Sequence, residues 1–231
     1  MIIIGIAGYA KAGKDTFVEI AKGILKKNYY TPIRVAFADQ LKDEVQGMLY
    51  DNRFMFDIKK LTPEEKERIR PLFVFWGCQR RHESDGGLYW VEILNEWLED
   101  IAYECKIQGE SDERIVALVS DVRFPNESKW IHESWKGSVI HLRRYTKKVI
   151  GISCGGTGSP VVRHYENEYD LAPNEEELNQ DPLVLEQSDL RIEWENKGAK
   201  SSFDAAQDPE LHTVVLNTLN SLPVFNGKLS L

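Results

Sequence analysis

Two hydrophobic periodicities are visible in the first thirty residues of the chain. Residues 1–7 are almost all apolar and rich in β-branched side chains, which is typical of a strand buried on both faces. From Phe17, apolar residues recur at helical spacing at Ile20, Ala21, Ile24 and Leu25. The residues between these patterns include two glycines and two lysines. The pattern therefore predicts a strand, a glycine-containing loop and a helix in succession.

The same periodicities predict alternating strands and helices along the rest of the chain. Strands are predicted at 33–38, 114–119 and 138–143, with a half-exposed edge strand at 189–194. Helices are predicted from 39 to about 48, from Thr62 toward Gly77, from Leu88 to Cys105, over 126–135, and from Asp208-Pro209 to Leu222. We expect a loop over 51–62 and turns at 84–87 and 109–113. The alternation predicts an α/β fold with a mainly parallel sheet flanked by helices.

One long segment departs from this alternation. Residues 144–187 contain several glycines and an acidic run at 174–177, and we expect a mobile segment with only short helical pieces. A segment of this length inside an α/β domain suggests a lid over a binding site. The length of 231 residues fits a single domain that includes this segment.

Composition and charge narrow the function classes. A net charge of −8 argues against sequence-independent nucleic-acid binding, and a hydrophobic content of 42% supports a real core. Cys78, Cys105 and Cys154 form neither a zinc pattern nor a disulfide framework, so we expect reduced thiols and a cytoplasmic protein. We expect no signal peptide, no membrane span and no membrane partner.

The loop between the first strand and the first helix matches a phosphate-binding loop (P-loop), G-x-x-x-x-G-K. Its backbone N–H groups, the helix N-terminus and the lysine ammonium would converge on phosphate oxygens. The residues that we expect to bind a nucleotide here are Gly8, Ala10, Lys11, Ala12, Gly13, Lys14, Asp15 and Thr16. The usual Ser or Thr after the lysine is replaced by Asp15, and a hydroxyl follows at Thr16. A carboxylate suits Mg²⁺ but repels bare phosphate, so the pattern indicates a metal-bound nucleotide, and which side chain touches the metal stays open.

A second acidic site is predicted where the 114–119 strand ends. Asp121 follows that strand, as expected of the acid that reaches Mg²⁺ in a P-loop site, usually through water. Asp39 follows the strand at 33–38, where it either caps the next helix or faces the ligand at the carboxyl edge of the sheet.

Arginines indicate a second anionic group. Arg123 stands beside the metal acid, where a guanidinium can hold a second phosphate through a bidentate fork. Further candidates are Arg80, Arg81, Arg143, Arg144 and Arg163, although each of these alone could be an ordinary surface charge. A phosphate acceptor needs no strong general base, so positioning and charge neutralisation would be the mechanism. His164 and Glu166 are either lid groups or ordinary loop residues, and His82 and His141 have no assigned role.

Four stretches together resemble the phage-type deoxynucleoside monophosphate kinases. They are Gly8…Gly13-Lys14-Asp15-Thr16, Phe37-Ala38-Asp39-Gln40-Leu41-Lys42, Trp76-Gly77…Arg80-Arg81 before Tyr89-Trp90-Val91, and Asp121-Val122-Arg123-Phe124-Pro125-Asn126-Glu127. The stretch His164-Tyr165-Glu166 is similar to the lid motif of that family but lacks its serine, and 188–198 resembles its last strand and turn. The resemblance covers nearly the whole chain.

The resemblance implies a P-loop kinase fold, ATP with Mg²⁺ as donor and a deoxynucleoside monophosphate as acceptor. Lys14 and Thr16 would bind ATP phosphates, Asp15 and Asp121 would serve Mg²⁺, and Lys14, Asp121 and Arg123 would be catalytic. Residues expected to bind the acceptor are Asp39, Lys42, Arg80, Arg81, Trp90, Arg123 and Arg143, mostly in a helical region over about 39–108. The lid would be about 144–187, with Arg163, His164 and Glu166. The location would be the cytoplasm, of the host if the protein is viral.

Three other functions stay open at this point. A P-loop kinase for a non-nucleotide phosphorylated metabolite shares the same loop. A nucleotide-binding regulatory module would have no phosphoryl acceptor, which the arginines and the lid disfavour. A nucleic-acid end-processing kinase is disfavoured by the net charge. We expect small-molecule nucleotides as partners, with a homodimer as one option for assembly.

Overall fold

A six-stranded sheet lies at the centre of the computed structural model, which describes residues 1–54, 57–109, 111–153, 162–170, 174–199 and 201–231. Its strands are β1 (Ile2–Ala7), β2 (Thr31–Val35), β3 (Ile115–Val122), β4 (Ser138–Ser153), β5 (Val162–Tyr169) and β6 (Leu190–Glu195). The helices are α1 (Lys14–Lys27), α2 (Phe37–Asp51), α3 (Pro63–Glu83), α4 (Tyr89–Ile107), α5 (Pro125–Trp135), α6 (Glu175–Gln187), α7 (Ser202–Ala205) and α8 (Pro209–Ser221). The predicted α/β class, with a mainly parallel sheet flanked by helices, is confirmed.

The strand order brings the carboxyl ends of β1 and β3 together. Strands β2, β3, β1 and β4 are parallel neighbours in that order, and β6 runs parallel to β4. The far half of β4 pairs with antiparallel β5. Tyr145 pairs with Glu195 of β6 on one side and with Tyr169 of β5 on the other. The β4–β5 hairpin therefore extends from the same edge as the loop that follows β1.

Both faces of the sheet are covered, which explains why β1 is apolar throughout. Ile4 and Ile6 face α1 and α8, whereas Ile3 and Ala7 face the side of α4, α5 and α6. Successive side chains of a strand point to opposite faces, so a strand between two helical layers has no polar positions.

The helix boundaries agree with local capping residues, but two of the predictions about them need correction. The predicted capping box of α3 is present: Glu65 N donates to Thr62 Oγ1 at 3.2 Å and Thr62 N donates to Glu65 Oε2 at 2.8 Å. The helix continues past Gly77 to Glu83, so Arg80 and Arg81 lie on its last turn. The predicted N-cap role of Asp39 is wrong, because α2 begins at Phe37 after Ala36.

The expectation of only short helical pieces over 144–187 is also wrong for its described residues, whereas its mobility and its role as a lid stay predictions. They form the far half of β4, strand β5 and the helix α6, while 154–161 and 171–173 lie outside the described residues. The hairpin residues are largely exposed, so they show no apolar alternation from which a strand could be predicted. The edge strand and the last helix were predicted correctly, and Ile192 and Trp194 are the buried positions of β6. None of the described helices is long and apolar enough to cross a bilayer.

Candidate phosphate-binding site

The loop between β1 and α1 depends on its two glycines. Gly8 and Gly13 have φ of 125° and 95°, in the region that favours glycine. A Cβ on Gly8 would lie 2.2 Å from the Leu142 carbonyl oxygen, and a Cβ on Gly13 would lie 2.5 Å from Cζ2 of Trp194. The loop therefore packs directly on β4 and β6, and no larger residue fits at either glycine without rearrangement.

Trp194 of β6 supports the loop. Its side chain is 6% exposed, and Nε1 donates to the Ala12 carbonyl oxygen at 2.8 Å while the ring covers Gly13. Sequence reasoning missed this role, because the alternating pattern around Trp194 indicated only an edge strand and not a contact with the loop.

Lys14 points into the loop. Its ammonium donates to the carbonyl oxygens of Gly8 and Tyr9, at 2.5 and 2.8 Å, and the residue is 9% exposed. Burial, and secondarily the charge of Arg123, lowers the pKa of Lys14 from 10.5 to about 8. Glu177, Asp121 and Asp15 oppose this shift. Lys14 is therefore a buried cation close to Arg123 and to three carboxylates.

Asp121, at the end of β3, caps a helix. Its Oδ1 and Oδ2 accept from the backbone N–H of Phe37 and Ala38, at 2.9 and 2.8 Å. Burial raises the pKa of Asp121, against these hydrogen bonds and the charge of Arg123. This carboxylate, instead of Asp39, satisfies the first N–H groups of α2, so it sits at the junction of β3, α2 and the loop.

One cleft of about 740 Å³ joins the loop to the ends of β2, β3 and β6. The predicted site residues that line it are Ala10, Lys11, Gly13, Lys14, Asp15, Thr16, Asp121 and Arg123. Gly8 and Ala12 belong to the loop but do not line the cleft. Arg144, one of the candidate arginines, lines it as well. Arg34 and the segment 194–199 also line it and were missed, although this segment lies at the carboxyl end of a parallel strand, where ligands bind in open α/β sheets.

Asp15, Thr16 and Asp121 all line this cleft and have oxygen atoms that could bind a metal. In the described part of the chain, no three His, Cys, Asp or Glu side chains converge as a metal cluster. This donor set fits Mg²⁺, which is usually held by one or two carboxylates together with substrate phosphates and water.

Glu127 binds the backbone of Arg123 and the side chain of Arg81. Glu127 Oε2 accepts from the Arg123 backbone N–H at 2.7 Å, and Oε1 accepts from Arg81 Nη2 at 3.3 Å. The Arg81 guanidinium also lies 3.9 Å from the centroid of the Phe124 ring. Glu127 is 2% exposed, and burial raises its pKa to about 7. Arg123 lines the cleft and Arg81 does not, so the predicted contact of Arg81 with the acceptor stays a prediction.

The other predicted acceptor residues lie elsewhere. Arg80 pairs with Glu44 between the rings of Trp76 and Tyr89 and thereby ties α2, α3 and α4 together. Trp90 is a core residue, 2% exposed, so its burial contradicts the predicted contact with substrate.

Three more of these residues form ion pairs and do not themselves line the cleft, although Arg34, the partner of Asp39, does. Asp39 pairs with Arg34 at 2.5 Å and with Lys42 at 3.2 Å, beside a second cavity of about 560 Å³. Arg143 lies 3.7 Å from Glu193 and over the ring of Tyr169, and it does not line the first cleft. In the predicted lid, His164 and Glu166 are exposed on β5, and the side chain of Arg163 lies outside the described part of the structure.

A residue that sequence reasoning did not single out reaches the loop from α6. Glu177 Oε2 accepts from the Ala10 backbone N–H at 2.8 Å, and Oε1 accepts from Arg123 Nη1 at 2.8 Å. Glu177 is 6% exposed. In the sequence it is one of three consecutive glutamates that begin a helix, so nothing distinguished it from its neighbours.

The sequence matches no protein-family model and no curated protein. Among solved structures, shikimate kinase from Aquifex aeolicus matches with a TM-score of 0.34 and 11% identity, over 95% of this chain and 100% of that chain. A structure titled APE1195 matches with a TM-score of 0.32 and 13% identity, over 94% of this chain and 96% of that chain. Likenesses this weak carry no argument about function. Function is therefore inferred below from the geometry of the cleft.

Proposed function

We propose that this protein is a P-loop kinase that transfers the γ-phosphoryl group of Mg·ATP to a deoxynucleoside monophosphate. The observation that carries the proposal is the cleft in which the loop N–H groups, Lys14, Asp121 and Arg123 meet. Its volume of about 740 Å³ is in the usual range for small-molecule sites. ATP phosphates would lie on the loop, with Lys14 turned from its carbonyl partners toward them.

Mg²⁺ would be held by phosphate oxygens, water, and Asp15 or Asp121, and it would neutralise charge on the phosphates. Both oxygens of Asp121 already accept a backbone N–H, so its approach to the metal is best served by an intervening water. Each carboxylate oxygen keeps a further lone pair for this water.

The guanidinium of Arg123, which lines the cleft, supports an acceptor that is itself a phosphate. An oxygen of the acceptor phosphate would attack the γ-phosphorus, the bond to the β,γ-bridging oxygen would break, and ADP would leave. The acceptor oxygen is already anionic near neutral pH, so no strong base is needed. The guanidinium of Arg123 would reduce repulsion between the two anions. The preference for a deoxynucleoside acceptor comes from the sequence resemblance.

ADP release from Mg·ATP, measured with each deoxynucleoside and ribonucleoside monophosphate in turn, tests the proposal. We expect release that depends on at least one deoxynucleoside monophosphate and is abolished by Lys14→Ala. Lys22→Ala is the matched control, because Lys22 is on the same helix but pairs with Glu19 away from the loop. Release that ignores every nucleotide acceptor would contradict the proposal and favour a non-nucleotide acceptor or a regulatory module.

A further inference from the structure

The carboxylate of Glu177 fills a position that suits a phosphate group. One oxygen accepts from a P-loop N–H and the other from the guanidinium of Arg123, both at 2.8 Å. Backbone N–H groups and arginine are the donors that proteins use to bind phosphate oxygens. Glu177 thus satisfies one donor from the loop and one from the arginine that stands beside the metal acid.

This arrangement conflicts with a bound nucleotide. A triphosphate on the loop would bring several negative charges close to a carboxylate that is only 6% exposed. Like charges at such separations repel strongly when they are shielded from water. Glu177 and a phosphate group therefore compete for the same donors.

The way in which α6 is attached to the sheet allows the carboxylate of Glu177 to move away from the loop. Asp181 bonds His141 Nε2 at 2.9 Å and Val184 is 1% exposed, so the later turns of the helix are anchored to the sheet. Around Glu177 in the first turn, Glu175, Glu176 and Leu178 are exposed. A change at this turn can release Ala10 and Arg123 without undocking the helix.

We propose that the space between the Ala10 N–H and the Arg123 guanidinium is a phosphoryl-binding position, and that Glu177 is its built-in occupant until nucleotide displaces it. The inference rests on the proposed function, because it takes the displacing ligand to be the phosphates of ATP. Glu177 would keep Arg123 in place in the empty site and would lower the affinity for nucleotide.

The test compares Glu177→Gln with Glu176→Gln in equilibrium binding of Mg·ATP without any acceptor. Both variants remove one carboxylate from the first turn of α6, but only Glu177 reaches the loop, whereas Glu176 is exposed. We expect Glu177→Gln to bind Mg·ATP at least about tenfold more tightly than wild type, because a neutral amide cannot satisfy both donors and does not repel phosphate. Glu176→Gln should stay within about twofold of wild type. Work at about pH 6.5 keeps Lys14 protonated, since its pKa is about 8 and the charge of Glu177 supports it.

The outcomes separate this inference from the proposed function. Wild type and Glu177→Gln binding Mg·ATP equally well, or the variant binding more weakly, would overturn the inference and leave the kinase intact. If neither wild type nor Glu177→Gln bound Mg·ATP, both this inference and the proposed function would be overturned. If Glu177→Gln shows no cooperative thermal unfolding, Glu177→Ala takes its place with the same expected result, since it removes the charge together with both acceptor oxygens.

Discussion

Replacing Trp194 with phenylalanine should weaken the P-loop, because it removes the hydrogen bond that ties the loop to β6. The substitution removes the indole N–H that donates to the Ala12 carbonyl oxygen at 2.8 Å, in a side chain that is 6% exposed. A buried carbonyl that loses its donor costs about 1–3 kcal/mol. The smaller ring also buries roughly 40 Å² less apolar surface, worth about 1 kcal/mol. We expect the free energy of unfolding to fall by about 2–4 kcal/mol, which a domain of ordinary stability survives.

The effect on binding follows from the same contact. Without Trp194 the loop is no longer tied to β6, and part of the free energy of phosphate binding goes into ordering it. A loss of about 1–2 kcal/mol corresponds to a dissociation constant for Mg·ATP roughly 5- to 30-fold higher. Equilibrium binding of Mg·ATP measures this change, and urea unfolding measures the change in stability.

Trp90→Phe is the matched control for this prediction. Trp90 is also buried, at 2% exposed, and its Nε1 donates to the Gly77 carbonyl oxygen at 3.1 Å, away from the loop. We expect a similar loss of stability with Mg·ATP affinity unchanged. An unchanged affinity in Trp194→Phe, or equal losses of affinity in the two variants, would refute the assignment of Trp194 as the support of the loop.

The remaining predictions concern charge and capping. The affinity for Mg·ATP should fall by up to about tenfold per pH unit above about 8 in a pH series of binding measurements, because the lowered pKa of Lys14 leaves its ammonium charged below that pH and neutral above it. Arg123→Ala should reduce turnover by orders of magnitude while Mg·ATP still binds, as steady-state kinetics and equilibrium binding would show; unchanged turnover would remove Arg123 from the mechanism. Thr62→Ala should lower the free energy of unfolding by about 1 kcal/mol in urea through loss of the α3 capping box, with turnover unchanged; an equal unfolding midpoint would contradict this.

The elements set by local sequence could be predicted. A strand buried on both faces, a G-x-x-x-x-G-K loop and an amphipathic helix each leave a short-range pattern, so the β1–loop–α1 unit was found from residues alone. Asp121 was found because an acid that ends a buried strand is expected in a P-loop site, and Arg123 was found from its place beside that acid.

Features that depend on distant partners could not be predicted in this way. Asp39 had the sequence position of a helix cap, but the carboxylate of Asp121 arrives from β3 and takes that role. Trp194 and Glu177 reach the loop over separations of 182 and 167 residues. The β4–β5 hairpin is exposed, so backbone pairing stabilises it without leaving a hydrophobic alternation.

Transfer of label from γ-phosphate-labelled ATP tests the central claim most directly. The protein would be incubated with Mg²⁺, labelled ATP and each deoxynucleoside monophosphate, and the products would be separated. The account predicts label in a deoxynucleoside diphosphate, with none formed by Lys14→Ala. Label found only in inorganic phosphate, at a rate that no monophosphate changes, would contradict it.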